Sequence, residues 1–358
     1  MNKVDEFLQN YHVEATKKSY RVSLNGFFKT IEANPNTYFD EDRDFLYDVK
    51  ILWSKLLLEE RPPLTIKQNL MVVKTFLEEY NVVFPQGEWR KMRRRIPGSR
   101  AATLDQAPTC KDLKKILTHA NAMKRALFLI ACSSGIRIST ILKLEPGDID
   151  LEFNPPKITI PGDITKSGNP RFCFMSFEAK AALLEFYKVR SRYLETAINR
   201  SKNKPHVVKN PDDPTVFPVS YHTARQMWSR LLDKSGYGRR DKTTGRYIMH
   251  IHTLRKFFRS NMTYAGVPLD VAEALMGHEG YLTDAYRRYS VEQLGEMYLK
   301  GVHAVTVFEG SADISDIKKQ LKDKDDELDV LQKEMDVMRR QMNILMTDKL
   351  IELDKRGK

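Results

Sequence analysis

Between His250 and Tyr289 the chain reads HIHTLRKFFRSNMTYAGVPLDVAEALMGHEGYLTDAYRRY. This short stretch holds a His-x-x-Arg unit (His252, Arg255), a Gly-His pair after an apolar helical run (Gly277, His278) and two tyrosines, Tyr286 and Tyr289. A guanidinium grips a phosphate through a planar fork of donors, and an imidazole moves protons near neutral pH. A phenol can serve as a nucleophile. Such a set suits chemistry on a phosphodiester. Carboxylates, the usual metal ligands of nucleases, do not cluster here.

Two upstream motifs extend the set: SSGIRISTILKLEPGDID carries Arg137, and KITIPGDITKSGNPRFCF carries Lys166 in the turn between two alternating runs. In chain order these residues are Arg137, Lys166, His252, Arg255, His278 and Tyr286. That order resembles the Arg, Lys, His, Arg, His, Tyr series of the tyrosine recombinases, the phage-integrase family. The resemblance implies transesterification of DNA through a 3′-phosphotyrosine, with neither metal nor ATP. It implies that Arg137 and Arg255 hold the two non-bridging oxygens, His278 adds a hydrogen bond and His252 manages the tyrosine proton. Lys166 then protonates the departing 5′ oxygen, and Tyr286 attacks. Tyr286 lies eight residues after His278, where relatives with a short loop carry their tyrosine. Tyr289, one helical turn further on, is the alternative nucleophile. One departure stands out: Thr140 occupies a position where many members carry an acid.

Each residue also has a plainer reading. Arg137 could pair with Glu145 or Asp148 at the surface, Lys166 could be solvated at a hairpin tip, and His278 could cap helix carbonyls. His250, His252 and His278 as a metal set lack a Cys, Asp or Glu beside them at ligand spacing, and Arg255 would repel a cation. At the level of function, the rivals are a type IB topoisomerase-like relaxing enzyme and a DNA-binding relative without catalysis.

Composition narrows the class. The chain has 358 residues, 41% hydrophobic and 30% charged, with a net charge of +12. That suffices for two domains and an appendage and points to an anionic partner. Cys110, Cys132 and Cys173 are odd in number and set in apolar surroundings, which reads as reduced residues of a cytoplasmic protein. No apolar run reaches membrane-spanning length, and the charged first twenty residues do not read as a signal peptide.

The expected fold is mainly α, an α+β arrangement with one small β-hairpin. Residues 1–86 read as helices: Tyr20, Leu24, Phe27 and Phe28 share one face, as do Phe45, Val49, Leu52 and Trp53, and then Ile66, Leu70, Val73 and Phe76. Thr65 is a candidate cap for the last of these. The resemblance implies that this is a core-binding domain that clamps DNA. Residues 87–108 read as an extended basic linker whose Arg90, Lys91, Arg93, Arg94 and Arg95 would follow a phosphate backbone. Residues 109–310 read as the catalytic domain. Within them Thr109 caps a helix, Gly135 ends the next, and Arg137 precedes a short third one, where the helix start favours anions.

Residues 157–175 alternate as two strands about the Lys166 turn. Helices follow from Phe177, around His222 to Lys234, and from His252 to Tyr264, where His252, Arg255 and Arg259 would share a polar face. Another helix opens at Pro268 and stops at Gly277. A basic loop between two of these helices offers Arg239 and Arg240 to DNA. Residues 311–358 carry an apolar stripe at three-four spacing, including Leu321, Leu328, Met335 and Met342, which reads as a coiled coil. The resemblance implies double-stranded DNA with specific recombination sites as partner. It further implies a tetrameric synapse of protomers, no membrane, and service to a virus, plasmid or other mobile element.

Overall fold

A computed structural model describes residues 2–98, 105–165, 168–201, 210–242, 244–278 and 288–308. The chain divides into two compact units, Met1–Leu104 and Asp105–Lys358.

The first unit is helical: α1 (Lys3–Gln9), α2 (Glu14–Thr30), α3 (Phe45–Leu58), α4 (Pro63–Glu79) and α5 (Gln86–Arg94). The apolar stripes expected on α2, α3 and α4 meet in one core built on Leu24, Phe27, Leu52, Leu70 and Phe76. Asp44 caps α3 by accepting from the Tyr47 backbone at 2.9 Å. Thr65 is not the cap of α4. Pro62 holds that place and Pro63 opens the helix, because a proline lacks the N–H that the first turn would leave unpaired. Beneath the rings, Asp48 is buried and accepts from Tyr38 Oη at 3.0 Å and from Arg43 at 3.0 and 3.2 Å.

The extended-linker reading fails over residues 87–94, which form α5. Trp89 and Met92 are buried three apart, and Ile96 follows four residues later, so the basic cluster hides a helical period. Burying such side chains stabilises a helix by about 1.5–3 kcal/mol each, enough to order so charged a segment.

The second unit comprises α6 (Cys110–Thr118), α7 (Ala122–Ser134), α8 (Ile138–Ile141), α9 (Phe177–Ser201), α10 (Tyr221–Ser235), α11 (Thr253–Tyr264), α12 (Leu269–Met276) and α13 (Val291–Val305). Thr109 and Asp112 cap each other across the start of α6, as the sequence predicts. The central helix is α7, whose residues from Ala126 to Ser134 are all buried, and it packs on α9, α11 and α13. Alternation predicts two strands, and they pair antiparallel as β2 (Lys157–Ile160) and β3 (Arg171–Phe174), with Ile158 opposite Cys173. A third strand, β1 (Ile149–Asp150), pairs with β2. At two residues it is too short to show a period. Among the described residues no helix is long and apolar enough to cross a membrane. The expected coiled coil at 311–358 lies outside the described residues.

Candidate active site

The site is assembled where three helix ends meet. Gly135 ends α7 in the left-handed conformation (φ 65), open to a residue without a Cβ, and the chain turns at once toward α8. Arg137 is the residue before α8, half-buried, and it lines a cavity of about 250 Å³ with His252, Arg255, Ser139, Tyr221 and Ile251. Among the described residues no ion pair joins it to Glu145 or Asp148, and Asp148 accepts from the Glu145 backbone at 2.9 Å.

Arg255 departs from the sequence expectation. Rather than sharing an exposed polar face with His252 and Arg259, it is only 5% exposed, turned inward beside Leu254 and Phe258. Burial is tolerated because its Nη1 donates to two helix-end carbonyls, Gly135 and Met276, both at 2.7 Å. Its Nη2, equally buried, has no partner among the described residues. Burial first, then Arg137 and Arg171, push its pKa down to about 9. A guanidinium still stays protonated in a protein. The site thus holds a cation at a cost, and an anion placed in the cavity would relieve it.

His252 precedes α11 and is exposed at the cavity wall. Protein atoms nonetheless crowd it: desolvation, then Arg255, His250, Arg137 and Lys256, hold its pKa below the ordinary histidine value. A neutral imidazole able to accept a proton is the result. The loop before it is braced by Trp228, whose Nε1 donates to the Met249 carbonyl at 2.7 Å, and by Thr253 on the His250 carbonyl. His250 Nδ1 accepts from the His252 backbone at 3.2 Å, which leaves its Nε2 to donate to Asp105 at 3.1 Å. Lys256 joins the same carboxylate at 2.8 Å.

His278 follows Gly277, which ends α12 with φ 81. Its backbone N–H caps the Glu273 carbonyl at 3.1 Å, and its Nδ1 meets the Glu273 carboxylate, which also binds Arg259 Nε. Arg255 holds the Met276 carbonyl, two residues away, so His278 is tied to the arginine site through backbone.

Sequence reasoning missed two residues here. Glu273 is 3% exposed, and although burial raises its pKa, the hydrogen bonds from Arg259 and His278 outweigh that and hold it below the usual carboxylate range. Arg171, at the start of β3, is 8% exposed and donates to the Leu275 carbonyl at 3.0 Å. A Cβ on Gly277 would lie 2.3 Å from the Arg171 Cζ, so this glycine is required by close approach as well as by φ. Arg171 was detectable: it is in phase with the inward Cys173 of an alternating strand, where a charge needs a reason.

Arg137, His252 and Arg255 therefore come together in one cavity, with His278 attached beside it. Lys166 and Tyr286 lie outside the described residues. Tyr289, the alternative nucleophile, is half-buried against the core of its unit and is not part of the cavity wall. Among the described residues no three His, Cys, Asp or Glu side chains group as a metal site.

Of the expected DNA contacts, Arg90, Lys91, Arg93, Arg94 and Arg95 are all exposed on or just after α5. Lys91 is shared with Glu88 at 2.7 Å, and Arg95 lies 5.8 Å from the Trp53 ring centre. Arg239 and Arg240 are both exposed, and Arg240 lies 4.1 Å over the Tyr247 ring with Nη2 donating to Tyr247 Oη at 2.7 Å.

Compared with known families, residues 108–292 match the phage integrase family. The chain belongs to the phage integrase family. Among its relatives, the tyrosine recombinase XerC of Chlorobaculum parvum is 22% identical over 312 residues, covering 80% of this chain and 88% of that protein. In fold the chain is similar to a lambda integrase dimer bound to a COC′ core site, with TM-score 0.54, 13% identity, and 78% of this chain and 95% of that one covered. It is likewise similar to the Tn1549 transposon integrase in complex with circular intermediate DNA, with TM-score 0.53, 16% identity, and 81% and 95% covered. This phage-integrase-family chain thus has the fold of the integrases it is similar to.

Proposed function

We propose that this phage-integrase-family protein is a site-specific DNA recombinase of a mobile element, acting on DNA in the cytoplasm. The observation that carries the reading is the cavity shared by Arg137 and Arg255, with the buried Arg255 Nη2 left unpaired among the described residues. Two guanidiniums facing one space repel unless an anion lies between them.

In the proposed reaction the scissile phosphate sits there, its non-bridging oxygens on Arg137 and Arg255, where the charge of the pentacoordinate transition state is neutralised. Tyr286 attacks phosphorus, forming the 3′-phosphotyrosine bond while the phosphorus–5′-oxygen bond breaks. His252 accepts the tyrosine proton, His278 donates a hydrogen bond, and Lys166 gives the 5′ oxygen its proton. A 5′ hydroxyl from a second strand then reverses the step on a new partner. The first unit and the basic helix α5 would hold the duplex, with Arg239 contributing from its loop. That lambda integrase was captured as a dimer on DNA and as a tetramer bound to a Holliday junction supports an assembly of several protomers on two sites.

The deciding experiment uses a nicked duplex containing the recombination site, in EDTA. The expected result is a covalent protein–DNA adduct that Tyr286→Phe abolishes and Tyr289→Phe retains. Loss in Tyr289→Phe alone reassigns the nucleophile. On a separate, intact supercoiled plasmid, relaxation irrespective of site, without strand exchange, overturns the recombinase reading in favour of a topoisomerase.

A further inference from the structure

Glu273 is a buried carboxylate at the end of α12 whose two oxygens go to different partners: one to Arg259 Nε on α11, the other to His278 Nδ1. Arg259 stands one helical turn beyond Arg255 on the same helix. The carboxylate therefore fastens the residue after Gly277 to the helix that carries Arg255.

We propose that Glu273 is a positioning residue of the recombination site, holding His278 by Nδ1 so that its Nε2 is turned to the scissile phosphate. The reading rests on the proposed function and deepens it. An imidazole has two nitrogens, and the bond made by one decides which tautomer and which ring plane the other presents. Gly277 in the left-handed conformation makes the turn, but a φ angle alone leaves the His278 ring free to rotate about its side-chain bonds. Glu273 removes that freedom, and Arg259 in turn keeps the carboxylate ionised and in place. The bland alternative is an ion pair that merely joins α11 to α12. The two differ in one respect: a positioning residue acts through His278, and a structural brace does not.

A double-mutant cycle on the full chain separates them. On the nicked duplex, Glu273→Gln is expected to slow adduct formation about 10–100-fold, the range for residues that orient a working histidine, with unchanged affinity for uncleaved DNA. In a His278→Ala background the same substitution is expected to change the rate less than twofold, because the ring it would orient is gone. Equal losses in both backgrounds overturn the proposal and leave the brace. Should Glu273→Gln fail to fold, nitrogen NMR of histidine-labelled wild-type protein reads the ring directly. With DNA bound, protons on both Nδ1 and Nε2 of His278 support the proposal, one shared with Glu273 and the other donated to the phosphate, and a bare Nδ1 overturns it. Failure of the wild type to form any adduct would instead count against the recombinase reading itself.

Discussion

Replacing Gly135 with alanine places a methyl carbon where other atoms already are. A Cβ there would lie 2.3 Å from Phe258 Cδ1, 2.7 Å from Phe258 Cγ and 2.9 Å from Met276 Cγ. Both neighbours are fully enclosed, at 0% and 2% exposure, so neither can swing into solvent. Overpacking of this kind costs about 1–3 kcal/mol. The backbone adds about 1–2 kcal/mol, since φ 65 is left-handed and alanine bears the Cβ penalty. Together Gly135→Ala should destabilise the second unit by about 2–5 kcal/mol. For a unit of this size each kcal/mol lowers the midpoint by about 2–4 °C, so a central cost of about 3 kcal/mol predicts a drop of about 6–12 °C by circular dichroism.

The effect reaches the chemistry as well. Gly135 supplies one of the two carbonyls that hold Arg255, and any shift of the turn moves the guanidinium. Adduct formation should therefore fall more than DNA affinity does, measured at a temperature where the variant remains folded. A midpoint within 1 °C of wild type would refute the steric argument, and an unchanged rate would refute the coupling to Arg255.

Two other expectations rest on charge. Because the folded chain holds the His252 pKa below the ordinary value, the unfolded chain takes up that proton first as pH falls. Wild type should then lose stability relative to His252→Asn below about pH 6.5, with the two parallel near pH 8. Urea unfolding across pH 5–8 measures it, and a difference independent of pH contradicts it. For α5, replacing Arg93 and Arg94 with alanine should make the slope of log affinity against log salt shallower by about 0.9 per lost phosphate contact. A slope unchanged in filter binding would place this helix away from the backbone.

Several elements could be read directly from residues. The stripes of Leu24, Phe27 and Phe28 on α2 and of Leu254, Phe257, Phe258 and Met262 on α11 are buried as their spacing predicts, since a helix's faces are set by its period. Gly135 and Gly277 mark helix ends because each has a positive φ. Helix α5 escaped notice because three apolar residues among a run of arginines carry too weak a period to stand out, although burial of Trp89, Met92 and Ile96 outweighs the charge once a core is present.

By itself, the order of Arg137, Lys166, His252, Arg255, His278 and Tyr286 carried the resemblance to the phage integrase family, and with it the expectation of which bond is made and broken. Side-chain type and order along the chain are enough for that, because the reaction needs particular donors and a nucleophile. What only the tertiary structure decided is how a charge can live inside. Arg255 is buried because the ends of α7 and α12, distant in sequence, offer their spare carbonyls at the same point. Arg171 and Glu273 are held inside in the same way: their partners are Leu275, Arg259 and His278, and packing across helices and a strand alone brings these within reach. A linear pattern assigns a charged residue to water by default, and only long-range packing supplies the groups that overrule it.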